Sequence, residues 1–163
     1  MSAAVDTREG KLILDSHKLS YHMDRVQAWE SGERIAPISV DMALTRACGA
    51  MCTFCYAMVQ ESQERSSVKT PVALKLVDDF ERLGIRSVSL VSDGESTLSP
   101  AYVPFIKHAY EAGIDVGNGT NGWEWEAEKI EQVLPYLTWV RFTVAAGRPS
   151  TYANMMYKGP EHT

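Results

Sequence analysis

The chain has no cysteine outside residues 48–55, no long apolar run and no excess of positive charge. Each absence removes a class of protein. Without a stretch near 20 apolar residues nothing reads as a membrane-spanning helix. The opening Met1-Ser2-Ala3-Ala4-Val5-Asp6 has neither the basic region nor the hydrophobic segment of a secretory leader. With 16 Lys and Arg against 21 Asp and Glu, the net charge of −5 gives no general attraction to an extended nucleic acid or an anionic lipid surface. A ligand must be held by a local pocket, and the expected location is cytoplasmic. What remains is ordinary globular material: 163 residues, 45% of them apolar and 23% charged, with no low-complexity segment.

Residues 1–10 read as a polar tail. Leu19, Met23, Val26 and Trp29, spaced by three and four, fall on one face of a helix that would pack against the domain, and Gly32 ends it. Residues 1–35 are therefore expected to be a tail and helix, and 36–163 the core. Pro37 to Leu44 alternates as a strand and runs straight into the cysteines. Thr70 is a candidate cap, Pro71 suits the first helical position, and Ala73, Leu76, Val77, Phe80 and Leu83 form one face before Gly84.

Ile85 to Ser92 reads as a second strand that ends in the turn Asp93-Gly94-Glu95. Ser99-Pro100 opens a helix with Val103, Ile106 and Tyr110 inward, and Gly113 closes it. Ile114 to Val116 is a short third strand, followed by the glycine-rich Gly117 to Gly122. A helix with Ala127, Ile130, Val133 and Leu134 precedes a fourth strand, Trp139 to Val144. Strands alternating with helices or long loops imply crossovers and a parallel sheet, an α/β fold. In such sheets the loops after the strand ends build the site. The cysteine loop, Asp93-Gly94-Glu95, the segment from Asn118 to Gly122 and Ala145-Ala146-Gly147 all fall there.

Cys48, Cys52 and Cys55 are separated by steps of four and three residues, each spanning at most roughly 13 Å and 10 Å. Such a loop can wrap one small inorganic object. An odd number of clustered cysteines makes a poor disulfide framework and a good metal site. Thiolates suit zinc or an iron–sulfur cluster. Zinc would want a fourth ligand, and His17, His22, His108 and His162 stand at no finger-like spacing from the cysteines. A cubane of four irons normally takes four cysteines, so three leave one iron open to something other than protein.

The Cys-x₃-Cys-x₂-Cys loop after a first strand, with Phe54 just before the last cysteine, resembles the signature of the radical S-adenosylmethionine (radical SAM) enzymes. Asp93-Gly94-Glu95 is similar to that family's Gly-Gly-Glu motif, and Thr120-Asn121-Gly122 and Arg141-Phe142-Thr143-Val144 fall where its third and fourth strands end. The resemblance runs from about residue 36 to about 157. It implies that Cys48, Cys52 and Cys55 ligate three irons of a [4Fe-4S] cluster, while S-adenosylmethionine chelates the fourth. It also implies that Phe54 and Tyr56 lie near the adenine. Gly94 would allow close approach of the methionine part, with Glu95 or carbonyls near Asp93 accepting from its ammonium, and Asn121 and Thr143 would contact the cofactor. The implied reaction is reductive cleavage to a 5′-deoxyadenosyl radical that takes hydrogen from a substrate.

Asp93 replaces the first glycine of the usual motif, and Ala145 stands where relatives often carry an acidic residue. About four βα units are present where the family usually builds six. The expected architecture is thus a parallel (βα) partial barrel of the radical SAM type with the C-terminal units missing, and its last strand would leave an apolar edge open. Three things would cover that edge: the rest of a longer protein, a second copy in a homodimer, or a partner chain. The implied partners are an external flavodoxin- or ferredoxin-like electron donor and a peptide, protein or small-molecule substrate, with no membrane. The text around Arg148 to Tyr152 leans toward peptides, and Trp123 and Trp125 are either stacking surfaces or packing residues. The alternatives are a non-catalytic iron–sulfur or zinc-binding module and a radical SAM enzyme acting on a nucleotide or sugar.

Overall fold

The computed structural model describes residues 18–59, 66–91 and 93–156, so the expected tail at 1–10, His17, Ser92 and His162 lie outside the described residues. The chain forms two compact units, Met1–Pro37 and Ile38–Thr163. In the first, a 3₁₀ turn, Lys18–His22, leads into helix α1, Met23–Glu30. Gly32 follows it with φ 85°. The stripe at Leu19, Met23, Val26 and Trp29 is present, but α1 has no buried residue, and Leu19, Met23 and Trp29 are exposed. Among the described residues no helix is long and apolar enough to cross a membrane.

The second unit is a four-stranded sheet in the order β1-β2-β3-β4. The strands are β1 Ser39–Asp41, β2 Ser87–Leu90, β3 Asp115–Thr120 and β4 Trp139–Phe142. Every neighbouring pair is parallel, with Val40 opposite Val88, Val88 opposite Val116, and Asn118 between Leu90 and Val140. Helices α2, Thr70–Leu83, α3, Tyr102–Glu111, and α4, Ala127–Val133, lie between successive strands, and α5, Pro149–Met156, follows β4. Parallel neighbours require such crossovers. The expected α/β class with alternating helices is therefore the observed one.

One sheet face carries Val88, Leu90 and Val116, which join Ala73 and Val77 of α2 and Tyr102, Phe105, Ile106 and Ala109 of α3 in the core. Helix α2 spans its expected length, but of its expected inward face Ala73 and Val77 are buried and Leu83 is exposed; it ends at Gly84, whose φ of 73° is the left-handed conformation that favours glycine. Its start differs by one position. Lys69 occupies the cap in extended conformation, Thr70 is already helical, and no side chain caps the turn. In α3 the inward face is Tyr102, Phe105, Ile106 and Ala109; Tyr110 is exposed and meets Tyr136 edge-on at 5.2 Å. In α4 only Val133 is buried, and Leu134, expected inward, is exposed.

The third strand departs most from expectation. It runs through Gly117-Asn118-Gly119 to Thr120, a stretch that reads as a turn by composition. Glycine is required there by crowding rather than bending. A β-carbon on Gly117 would fall 2.0 Å from Cε2 of Trp139, and one on Gly119 would fall 2.6 Å from Cγ1 of Val91. Glycine inside a strand marks such close approaches. At the sheet edge, Phe142 of β4 is 54% exposed and Val144 just beyond it 76%, so the apolar edge expected of the fourth strand is present.

Tyr102 is wholly buried and its hydroxyl has no hydrogen-bond partner among the described residues. Burial, with a smaller push from the charge of Glu95, drives that hydroxyl well above the ordinary tyrosine range. The folded chain then holds this proton more tightly than the unfolded chain, so the contribution to stability is intact below about pH 10 and falls as pH rises past it. Tyr102→Phe removes an unsatisfied group and is expected to raise stability by about 1 kcal/mol while flattening the alkaline loss. Urea titrations on both proteins across about pH 8 to 11 check this, and parallel pH profiles would count against it.

Candidate functional site

The site is assembled on the backbone that leaves β1. Residues 44–46 pair with 66–68 through Val68 N–H to the Leu44 carbonyl and Arg46 N–H to the Ser66 carbonyl, both 2.9 Å. The Thr45 and Ser67 hydroxyls stand 2.6 Å apart. The cysteine loop therefore starts from a paired, fixed segment. Within it, Cys55 N–H donates to the Cys52 carbonyl at 3.1 Å, and Ala50 is buried. None of the three cysteines is disulfide-bonded, and each is half-buried. Among the described residues no three His, Cys, Asp or Glu side chains converge as the ligands of one metal ion would.

Asp93-Gly94-Glu95 closes on this loop from β2. Glu95 N–H donates to the Ala47 carbonyl at 2.8 Å. Gly94, at φ 73°, lies so close to the segment before Cys48 that a β-carbon there would fall 2.3 Å from the Thr45 carbonyl oxygen and 2.7 Å from the Arg46 carbonyl carbon. Asp93 faces Arg46, with Oδ2 3.7 Å from Nε. Glu95 is 3% exposed. Its Oε1 accepts from the Thr97 hydroxyl at 2.8 Å and the Thr120 hydroxyl at 2.9 Å, and its Oε2 from Asn121 N–H at 2.8 Å. The close neighbour of Gly94 is thus protein backbone, and the Glu95 carboxylate already serves four donors, two of them on Thr97 and two at the end of β3.

Asn121 lies between these parts. Its Oδ1 accepts from Trp123 N–H at 2.8 Å, which fixes the amide so that Nδ2 points at Cys48, 3.6 Å from the sulfur. Thr143 continues the β4 ladder, its N–H donating to the Thr120 carbonyl at 2.9 Å, and its side chain is half-buried. Phe54 and Tyr56 are both exposed. Trp125 is a packing residue: it is buried and tilts against Phe142 at 5.6 Å. Trp123 is half-buried, and its indole N–H donates to the Tyr152 hydroxyl at 3.1 Å. Asn118, placed with the rim by sequence position, is a buried residue of β3.

Two parts of the site escape sequence reasoning. Glu124 lies against the cysteine loop, its Oε1 2.0 Å from where a β-carbon of Gly49 would be, and its Oε2 is buried without a partner among the described residues. Only its position between two conspicuous tryptophans could have drawn notice. Helix α5 also reaches the loop, its Met156 carbonyl accepting from Met51 N–H at 2.9 Å.

Burial raises the Cys48 thiol above its usual value. Glu95, Glu124 and Cys52 push the same way, against a lowering contact from the Ala50 backbone. Cys52 is raised by burial and then by Cys55. Cys48 and Cys52 thus hold their protons more firmly than free cysteines do.

The family description for the radical SAM superfamily matches residues 42–162. The chain belongs to that superfamily. Solved structures agree in fold. Streptococcus suis SuiB bound to the precursor peptide SuiA aligns at TM-score 0.66 and 16% identity, over 93% of this chain and 35% of that one. SuiB bound to S-adenosylmethionine aligns at 0.66 and 16%, over 88% and 34%. BtrN in complex with AdoMet and 2-DOIA aligns at 0.59 and 14%, over 71% and 49%. The chain thus spans about a third to a half of the length of these neighbours. No curated protein matches it.

Gly94→Ala forces a β-carbon into backbone atoms that cannot move aside, in a conformation side chains rarely adopt. The expected cost is about 2 kcal/mol or more. Thermal or urea unfolding of the variant measures it, and a loss under about 0.5 kcal/mol would contradict the packing described.

Proposed function

We propose that the chain forms the core, or part of the core, of a radical SAM enzyme whose Cys48, Cys52 and Cys55 hold three irons of a [4Fe-4S] cluster. What carries the reading is the loop itself: three unpaired cysteines leave β1 on a fixed segment, and an oriented amide faces the first of them. An N–H directed at a ligand sulfur is one of the means by which proteins tune such clusters. Three free thiols also belong in a reducing compartment such as the cytoplasm.

When bound, such a cluster would pass one electron to the sulfonium of S-adenosylmethionine, yielding the 5′-deoxyadenosyl radical that takes hydrogen from the substrate. The chain's own work is to hold and to shield. Glu95 binds the β2 turn to the end of β3, which keeps Asn121 against Cys48. Gly94 lets that turn lie on the cysteine loop. Exposed Phe54 and Tyr56 offer flat apolar surface for an adenine, and Asn121 and Thr143 would supply polar contacts to the cofactor. Asp93, Gly94 and Glu95 supply backbone carbonyls for an ammonium group. The substrate we favour is a peptide or protein, which a neighbour crystallised with a precursor peptide supports; an external flavodoxin- or ferredoxin-like protein would supply the electron.

Anaerobic reconstitution with iron and sulfide, followed by a strong reductant and S-adenosylmethionine, is expected to give about four irons per chain and to release 5′-deoxyadenosine. Alanine at Cys48, Cys52 or Cys55 should abolish that release and reduce bound iron at least about tenfold. Full iron content in any one of these variants, or a loaded chain that never yields 5′-deoxyadenosine, would overturn the reading.

A further inference from the structure

Outside its own cysteines, the loop from Cys48 to Cys55 is held by helix α5. The last carbonyls of a helix have no partner within it and must find one elsewhere. Those of Met155 and Met156, the final residues of α5, accept from Thr53 N–H and Met51 N–H, both at 2.9 Å. These two amides flank Cys52. The Met156 side chain is wholly buried, and its Sδ lies 3.4 Å from Cys52 Sγ. One turn earlier, the Tyr152 hydroxyl accepts from the Trp123 indole at 3.1 Å. Trp123 N–H in turn orients the Asn121 amide that faces Cys48. The contacts close into a ring: Cys48, Asn121, Trp123, Tyr152, α5, Cys52.

A loop without a regular ladder of its own opens readily unless neighbouring elements hold it. From this ring we infer that α5 is the second half of the cluster site, resting on the cluster reading above, and that Met156 is its positioning residue. The buried side chain anchors the end of the helix, and the two carbonyls fix the direction in which Cys52 points. Cys48 is held from the β3 side and Cys52 from the α5 side, so loss of the anchor loosens one cysteine ahead of the other. Ligand-orienting groups of this kind govern how tightly a metal centre is kept.

Two variants separate positioning from folding. Met156→Ala empties the anchor; Met156→Leu fills it with a side chain of similar volume but without sulfur. In the metal-free chain, hydrogen exchange at the Met51 and Thr53 amides is expected to speed up about tenfold or more in the alanine variant, with the amides of Val88 and Val116 unchanged, and to return near wild type with leucine. In reconstituted protein, iron release to a chelator should be about fivefold faster or more with alanine and close to wild type with leucine. Unchanged exchange at Met51 and Thr53 overturns the clasp. Faster exchange with unchanged iron release overturns its role at the cluster. A leucine variant as impaired as alanine overturns anchoring by volume. A wild-type chain that takes up no iron overturns the cluster reading and with it the assignment of α5 to a cluster site, while the exchange result still reports the clasp.

Discussion

A carboxylate buried at 3% exposure is the constraint on which the site depends. Burying a charged group is costly unless hydrogen bonds replace its water. Glu95 meets that demand by drawing in donors from two places: Thr97 in the turn that follows it, and Thr120 and Asn121 at the end of β3. Its own N–H reaches the Ala47 carbonyl just before the first cysteine. One residue thereby fixes the relation of three loops that the sheet alone would leave free. A bare four-stranded sheet specifies where loops begin, whereas Glu95 specifies where they end up.

The parallel sheet supplies the geometry that makes this possible. With β1, β2 and β3 side by side in sequence order, the loops leaving their ends are neighbours. Gly94 then removes the side chain that would hold the second loop off the first. The pairing of residues 44–46 with 66–68 stiffens the approach to Cys48 from the other side. Strand order, one glycine and one carboxylate are together enough to place a turn against the cysteine loop.

Legibility in the sequence followed the range of the forces involved. Helix α2 could be read because its apolar stripe, its Pro71 and its terminal Gly84 are local signals that act within the helix. The parallel sheet could be read because alternating strands and helices leave few topologies. Strand β3 was misjudged because Gly117 and Gly119 answer to side chains from elsewhere, Trp139 and Val91, whose approach no local pattern reveals. Helix α5 went unseen because it is eight residues long and buries only Met156, too little apolar periodicity to register. Glu124 was equally invisible, since its meaning comes from Gly49, far from it in the chain. The position of the cysteine loop after β1 was plain, but the partners that hold it were not, because each arrives from a distant segment.

The same long-range arrivals set the charge balance around the cysteines. Burial raises the Cys48 thiol most, and Glu95 and Glu124 raise it further. Placing carboxylates next to a proposed ligand sulfur looks self-defeating for a residue that would act as a thiolate. It follows, though, from the demands on the site as a whole. Glu95 must be where it is to join the loops, and its charge cannot be withheld from Cys48. The consequence is that Cys48 and Cys52 hold their protons more firmly than free cysteines do, and would give them up most readily to a group carrying concentrated positive charge. Each thiolate formed then releases a proton, so loading is favoured as pH rises toward the raised thiol values and opposed as it falls.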